Sequence, residues 1–189
     1  MASPKELVQV VARETGVSEA TVIVHDRNLA LAGLRSVGGR GRAAARMTYR
    51  DAANLIIAVA ASRNVKDSAK TVEAYAPLPA IEPLIFDDDG REVVRGETFG
   101  DALAALLEAV PANRDLYRDP EVGSVDVCLY GPRPSATIEW KVAGRSNTLK
   151  YENRRSFRSS GPIAVADLQF ISKFTQITIG FVGEVIASD

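Results

Sequence analysis

The chain has 189 residues, of which 46% are hydrophobic and 25% charged, and its formal net charge is −1. This length allows one sizeable domain or two small ones, and the composition excludes wholesale disorder. No apolar run approaches the roughly 20 residues that cross a bilayer, and the start of the sequence lacks the apolar segment of a secretory signal. We therefore expect a cytoplasmic protein without a membrane partner.

The small net charge conceals an uneven distribution along the chain. Residues 1–66 contain ten Lys/Arg and five Asp/Glu, a balance of +5, whereas residues 67–121 contain five and thirteen, a balance of −8. A basic amino-terminal part attached to an acidic middle is typical of a DNA-binding head on a body with another role. A dipolar surface without a partner is the alternative interpretation.

Caps and apolar periodicity predict four helices in the amino-terminal part. Ser3 precedes Pro4 and stands three residues before Glu6, which is typical of a capped helix start, and Gly16 ends this first helix. Ser and Thr residues predict the next starts in the same way. The four predicted helices cover about residues 4–15, 19–32, 49–62 and 65–75.

The later part of the chain changes from helical to strand periodicity. Three prolines in residues 77–83 exclude helix and central strand, and so predict a linker. A helix is predicted over about 99–110, and alternation of apolar and polar residues predicts strands at SVDVCLYG, SATIEWKV and NTLKYEN. The final segment favours a strand followed by a helix. We therefore predict an α+β protein with an all-α domain, residues 1–76, and a small, mainly antiparallel α+β domain, residues 84–189.

Residues 10–24, VVARETGVSEATVIV, have the pattern of two helices joined by a tight turn. A DNA-reading helix pair needs such a turn, commonly with a glycine, to set its second helix at a steep angle, and Gly16 meets this need. Val17 and Val22 are apolar and can pack inward. We expect the opposite side of the second helix to present Ser18, Glu19, Thr21, His25 and Arg27 to DNA.

A stretch rich in glycine and arginine follows the second helix. Residues 34–47, LRSVGGRGRAAARM, are called the Gly/Arg segment here, and they are predicted to form an exposed loop or small wing. Arginine pairs with phosphates and can enter a narrow minor groove, while glycine lets the backbone approach a surface closely. Five arginines occur within residues 35–50 without an acidic residue among them. We predict DNA contacts for all five, Arg35, Arg40, Arg42, Arg46 and Arg50.

These residues carry a resemblance to a known class of protein. ARETGVSEATV is similar to the helix-turn-helix of many bacterial and phage regulators. The order of parts over residues 5–76 resembles the winged helix-turn-helix of the MerR class: two helices, a wing with glycine and arginine, then two supporting helices. GRAAARMTYRDAANLI resembles the passage where that wing leads into the third helix. The resemblance implies a winged helix-turn-helix fold and a DNA-binding role for this part alone.

The leading hypothesis is a sequence-specific double-stranded DNA-binding protein, a bacterial or phage transcriptional regulator without catalytic residues, metal or cofactor. Such proteins usually dimerise to place two recognition helices on successive major-groove faces, so we expect a homo-oligomer. The carboxy-terminal domain would then serve oligomerisation or effector binding. A close alternative is a phage DNA-packaging protein, similar to a small terminase, or a recombination-accessory protein.

An alternative from another class is a metal-dependent enzyme that uses carboxylates of the carboxy-terminal part. Asp87, Asp88 and Asp89 could gather Mg²⁺ beside a phosphate, but consecutive residues in a turn diverge rather than converge. GGRGR is not a P-loop because no Gly-Lys-Ser/Thr follows it. His25 is the only histidine, which disfavours a histidine-based metal cage.

Overall fold

Local caps fix where the amino-terminal helices begin. A computed structural model of the chain describes residues 2–38, 45–81, 97–142, 144–153 and 168–188. The Ser3 hydroxyl accepts a hydrogen bond from Glu6 N, and the Glu6 carboxylate accepts one from Ser3 N. Thr48 and Asp51 form the same reciprocal capping box at the start of the third helix. Pro4 occupies the first helical position, where its missing N–H is not needed.

The helices of the described residues are α1 Pro4–Thr15, α2 Glu19–Leu31, α3 Tyr49–Ala61, α4 Ser68–Tyr75, α5 Phe99–Ala112, α6 Arg114–Tyr117 and α7 Gln176–Ala187, and a short 3-10 helix, Val65–Asp67, precedes α4. The strands are β1 Gly123–Gly131, β2 Ser135–Val142, β3 Arg145–Glu152 and β4 Phe170–Thr175. Residues 170–187 thus form the predicted strand followed by a helix. The Thr175 hydroxyl, which accepts from Ile177 N, marks the change between the two.

The four strands form one antiparallel sheet in the order β3-β2-β1-β4. Val127 of β1 lies opposite Ile138 of β2 on one side and Phe174 of β4 on the other, and Ile138 lies opposite Leu149 of β3. All four of these side chains are buried, so one face of the sheet packs against the helices. The other face is polar, and Lys173 there pairs with Asp126 across the strands at 3.0 Å.

The buried apolar side chains form one cluster that runs through both predicted domains. Helix α3 packs on α5 and α1 packs on α7, so the amino-terminal helices are covered by elements from the carboxy-terminal part. Polar contacts cross in the same way. Tyr75 Oη donates to the carbonyl of Tyr130 at 2.6 Å, and Ser172 Oγ donates to the carbonyl of Ala60 at 2.5 Å. The described residues therefore share one core, instead of the two that a boundary at residues 77–83 predicts.

The first residues of the predicted linker belong to this fold. Glu152 N of β3 donates to the carbonyl of Pro79 at 3.2 Å, and Ile81 N donates to the carbonyl of Lys150 at 2.9 Å. A proline cannot donate to a ladder, but its carbonyl can accept beside a sheet edge. The prolines therefore exclude a central strand, as predicted, and still permit an edge contact.

The predicted α+β class, with helices first and an antiparallel sheet after them, is confirmed. Helix α5 extends past its expected end to include Pro111, and it ends one residue later, at Ala112, because proline cannot donate the next helical hydrogen bond. The centre of the Gly/Arg segment, residues 39–44, lies outside the described residues, as does the turn expected at residues 88–90 between two short strands.

Candidate nucleic-acid interface

Helices α1 and α2 are joined by three residues, 16–18, whose geometry sets the angle between them. Gly16 has φ of 70°, a left-handed conformation that side-chain-bearing residues rarely adopt, and its N–H bonds the carbonyl of Ala12. Val17 packs against the core, and the Ser18 hydroxyl caps α2 by accepting from Thr21 N. The sequence therefore builds two helices joined by a tight turn, after which α2 starts at a defined point.

One side of α2 holds it in the protein and the other side faces solvent. Val22, His25, Asp26 and Leu29 are buried against neighbouring helices. The exposed side, called the outer face of α2 below, consists of Glu19, Ala20, Ile23, Val24, Arg27 and Leu31.

The residues predicted to face DNA from α2 fall into three groups. Ser18, Glu19 and Arg27 are exposed. Thr21 is half-buried, with its hydroxyl 2.8 Å from Ser18 Oγ. His25 is buried and does not belong to the outer face.

His25 lies in a polar pocket between α2 and α4. Its Nδ1 is 2.8 Å from Ser68 Oγ, and that hydroxyl donates its only proton to the carbonyl of Val65. Nδ1 must therefore carry the proton and donate to Ser68. Asn28 Nδ2 donates to the same Val65 carbonyl at 2.9 Å. His25 thus joins α2 to α4, although its partner lies 43 residues away along the chain. Because the side chain is buried, it is not placed to contact DNA.

The burial of His25 predicts how the stability of the protein depends on pH. Burial lowers the pKa of His25, because the imidazolium would lose its hydration. The unfolded chain, with an ordinary pKa near 6.5, takes up a proton before the folded protein does. The contribution of His25 to the free energy of unfolding is therefore fully present above about pH 6.5. It decreases as the pH falls below that value, by up to about 1.4 kcal/mol per pH unit for one proton.

Urea denaturation of wild type and His25→Gln at several pH values between 7.5 and 5.5 measures this effect. Burial also raises the pKa of Asp26, against the opposing influence of Arg35, and both chains share that contribution. The difference between their pH dependences therefore isolates His25. Parallel dependences of the two chains would contradict the assignment.

The start of the Gly/Arg segment is fastened to α2 and α3. Arg35 Nε lies 2.8 Å from Asp26 Oδ1 of α2, and both side chains are only slightly exposed. Asn54 Nδ2 of α3 donates to the carbonyl of Leu34 at 2.8 Å. Arg35, predicted to contact DNA, is therefore committed to an internal ion pair that holds the segment's first residues beside α2.

Asp51 joins the two ends of the Gly/Arg segment. Its Oδ1 accepts from Ser36 N at 2.7 Å, and its Oδ2 accepts from Thr48 N at 2.8 Å. Met47 N also donates to the carbonyl of Ala2 at 2.9 Å. The residues on either side of residues 39–44 are therefore held together at one place, the Asp51 carboxylate. The Thr-x-x-Asp pattern signals the capping box, but the bond to Ser36 has no signal in the sequence.

The other arginines of the predicted cluster differ in their surroundings. Arg50, whose side chain is 43% exposed, pairs with Asp101 at the start of α5, and this ion pair joins the two halves of the chain. Arg46 is exposed. Arg40 and Arg42 lie outside the described residues. Ile23 and Val24 also lie on the exposed side of α2, and they are not among the predicted contact residues. The run TVIV indicates this exposure, because three consecutive residues cannot all face inward from a helix.

Other kinds of site find no support in the described part of the chain. Within residues 2–38, 45–81, 97–142, 144–153 and 168–188, no group of three His, Cys, Asp or Glu is placed to hold a metal ion. Asp87, Asp88 and Asp89 lie outside these ranges. No helix among the described residues is both long and apolar enough to span a bilayer. In comparisons with known proteins, no family model, curated protein or solved structure matches this chain.

Proposed function

We propose that this chain is a double-stranded DNA-binding protein, a transcriptional regulator in which α2 enters the major groove and the Gly/Arg segment contacts phosphates. The arrangement of α2 carries the proposal. This helix follows a three-residue turn, is held along one side and is exposed along the other. A recognition helix needs this arrangement, because it must be rigidly placed and still leave one side free for base edges.

The placement of charge supports the same function. Arg27 is exposed on the outer face of α2, one turn after Ile23 and Val24. The Arg35–Asp26 pair fixes the start of the Gly/Arg segment beside the same helix, and Asp51 holds its two ends together. The segment that carries these arginines thus begins beside α2 and is held at both edges by the fold, as the wing after a recognition helix is. Residues 1–66 carry a balance of +5, which favours a polyanionic partner.

The same proposal includes cytoplasmic location and assembly into a homo-oligomer, which would place two copies of α2 on one duplex. The exposed apolar side chains of α7, Ile177 and Phe181, favour a contact between copies. Mass measurement also separates a regulator from a packaging protein, because a closed ring larger than a tetramer would favour packaging.

The experiment that tests DNA binding is a titration of an arbitrary duplex with the full chain at several salt concentrations. Log affinity should fall linearly with log salt, since phosphate contacts release counterions. Arg27→Ala should weaken binding to a preferred duplex by about 1 to 3 kcal/mol if Arg27 contacts a base. Lys150→Ala, an exposed change on β3 that removes the same charge, is the matched control and should leave affinity unchanged. Absence of binding by wild type at the lowest salt concentration would refute the proposal.

A further inference from the structure

The outer face of α2 is unusually apolar for a helix that meets a polyanion. Ile23 and Val24 are each 40% exposed, and Ala20, one turn before Val24, is exposed as well. Successive residues on a helix project about 100° apart, so Val22 takes the inward position and the next two side chains must project outward. Their exposure therefore follows from the helical geometry of α2, since Val22 is buried. Two adjacent exposed aliphatic side chains favour a contact with a partner.

The major groove offers one base with an apolar group. Thymine presents a C5-methyl group there, whereas adenine, guanine and cytosine present only hydrogen-bonding groups. The middle of the outer face, from Ala20 to Val24, has no side chain that could donate to guanine or adenine. Aliphatic side chains at these positions can instead bury methyl groups, each at the free energy of removing one such group from water.

We propose that α2 selects thymine-containing sites, with Ile23 and Val24 packing against thymine methyl groups in the major groove. This inference rests on the proposed function and names the class of target. Arg27 lies one turn beyond both aliphatic side chains on the same face, where it can reach a phosphate or a base edge.

Charge favours DNA over a second copy of the chain as the occupant of this face. Two copies of the basic amino-terminal part, each with a balance of +5, repel each other when α2 meets α2. A duplex attracts the same part and leaves Arg27 with phosphates within reach. DNA therefore fits the apolar centre of the face and Arg27, whereas Glu19 of the same face gains nothing from a polyanion.

The test replaces thymine by deoxyuridine, which keeps the pairing and lacks only the methyl group. Duplexes are first selected from a random pool by binding to the full chain, and the enriched sequences are then made with either base. Wild type should lose about fourfold in affinity for each methyl group that is buried. The double variant Ile23→Ala, Val24→Ala should bind the two duplexes nearly equally, with an unchanged salt dependence because no phosphate contact is lost.

The control variant is Ile171→Ala, which shortens a 58% exposed isoleucine on β4 and should keep the wild-type preference for thymine. Equal binding of the two duplexes by wild type would overturn the inference and leave DNA binding intact. If, in addition, the double variant lowered the mass of the free protein from dimer to monomer, the face would be a contact between copies. Failure of wild type to bind any duplex would overturn the proposed function, and this inference with it.

Discussion

Gly183→Ala is expected to destabilise the protein by about 1 to 3 kcal/mol, the usual cost of forcing an extra methyl group into a close-packed core. A Cβ at this position of α7 would lie 2.0 Å from the carbonyl oxygen of Leu107 and 2.7 Å from Pro111 Cγ. The carbonyl belongs to helix α5 and cannot rotate away, so α5 and α7 would have to separate. Pro111 has no N–H to bond this carbonyl, which is why α7 can approach it so closely. Urea denaturation measures the change.

Gly180→Ala is the matched control, since it makes the same chemical change one turn earlier in α7. Its Cβ would lie 3.6 Å from Val110 Cγ1, an ordinary van der Waals contact. Alanine in a helix interior is favoured over glycine by about 0.5 to 1 kcal/mol, so this variant should be more stable than wild type. Equal effects of the two substitutions would show that α5 and α7 are not in the close contact described.

The sequence predicts helix ends well where the signal is local. Ser3 with Glu6, and Thr48 with Asp51, are capping boxes complete within four residues, and Gly16 marks a turn by its own conformational freedom. The strands are predicted for the same reason, because alternation over eight or nine residues records which face of the sheet is buried.

The roles of charged and polar residues are predicted less well, because their partners are distant in the sequence. Arg50 ends a stretch of sequence that contains no acidic residue. It forms an ion pair with Asp101 only because α3 packs on α5. His25 lies three residues after Val22 and four before Leu29, on the buried stripe of α2, and only its polarity suggests exposure; its partner Ser68 comes from the distant helix α4. The shared core has the same origin. The contact of α1 with α7 joins the two ends of the chain, and no local pattern predicts it.

The candidate site divides in the same way. The turn before α2 follows from a glycine and a cap, and the buried side of α2 follows from helical periodicity. The sequence therefore predicts that α2 has one side exposed to solvent. Which arginines remain available depends on pairing across the fold. Arg35 pairs with Asp26, and this ion pair holds the first residues of the Gly/Arg segment beside α2. The remaining arginines of that segment are the ones to test.

Replacing Arg40, Arg42 and Arg46 together by alanine is expected to weaken binding to preferred and random duplexes by similar factors, because phosphates carry no sequence information. Each lost phosphate contact should flatten the plot of log affinity against log salt by about one unit, so the triple variant should lose about three. Substitutions at exposed surface positions typically alter stability by less than about 0.5 kcal/mol each, and urea denaturation of the triple variant measures its effect on folding. Fluorescence titrations of both duplexes at several salt concentrations measure affinity and slope together.

A second triple variant removes the same charge elsewhere and shows whether position matters. Arg118, Arg133 and Lys150 are exposed residues of the carboxy-terminal part, and their replacement by alanine changes the net charge equally. If only overall charge governed binding, both triple variants would lose affinity alike. A loss confined to the first variant would place the Gly/Arg segment at the phosphates. An unchanged slope in a folded first variant would remove that segment from the interface and leave α2 as the sole DNA contact.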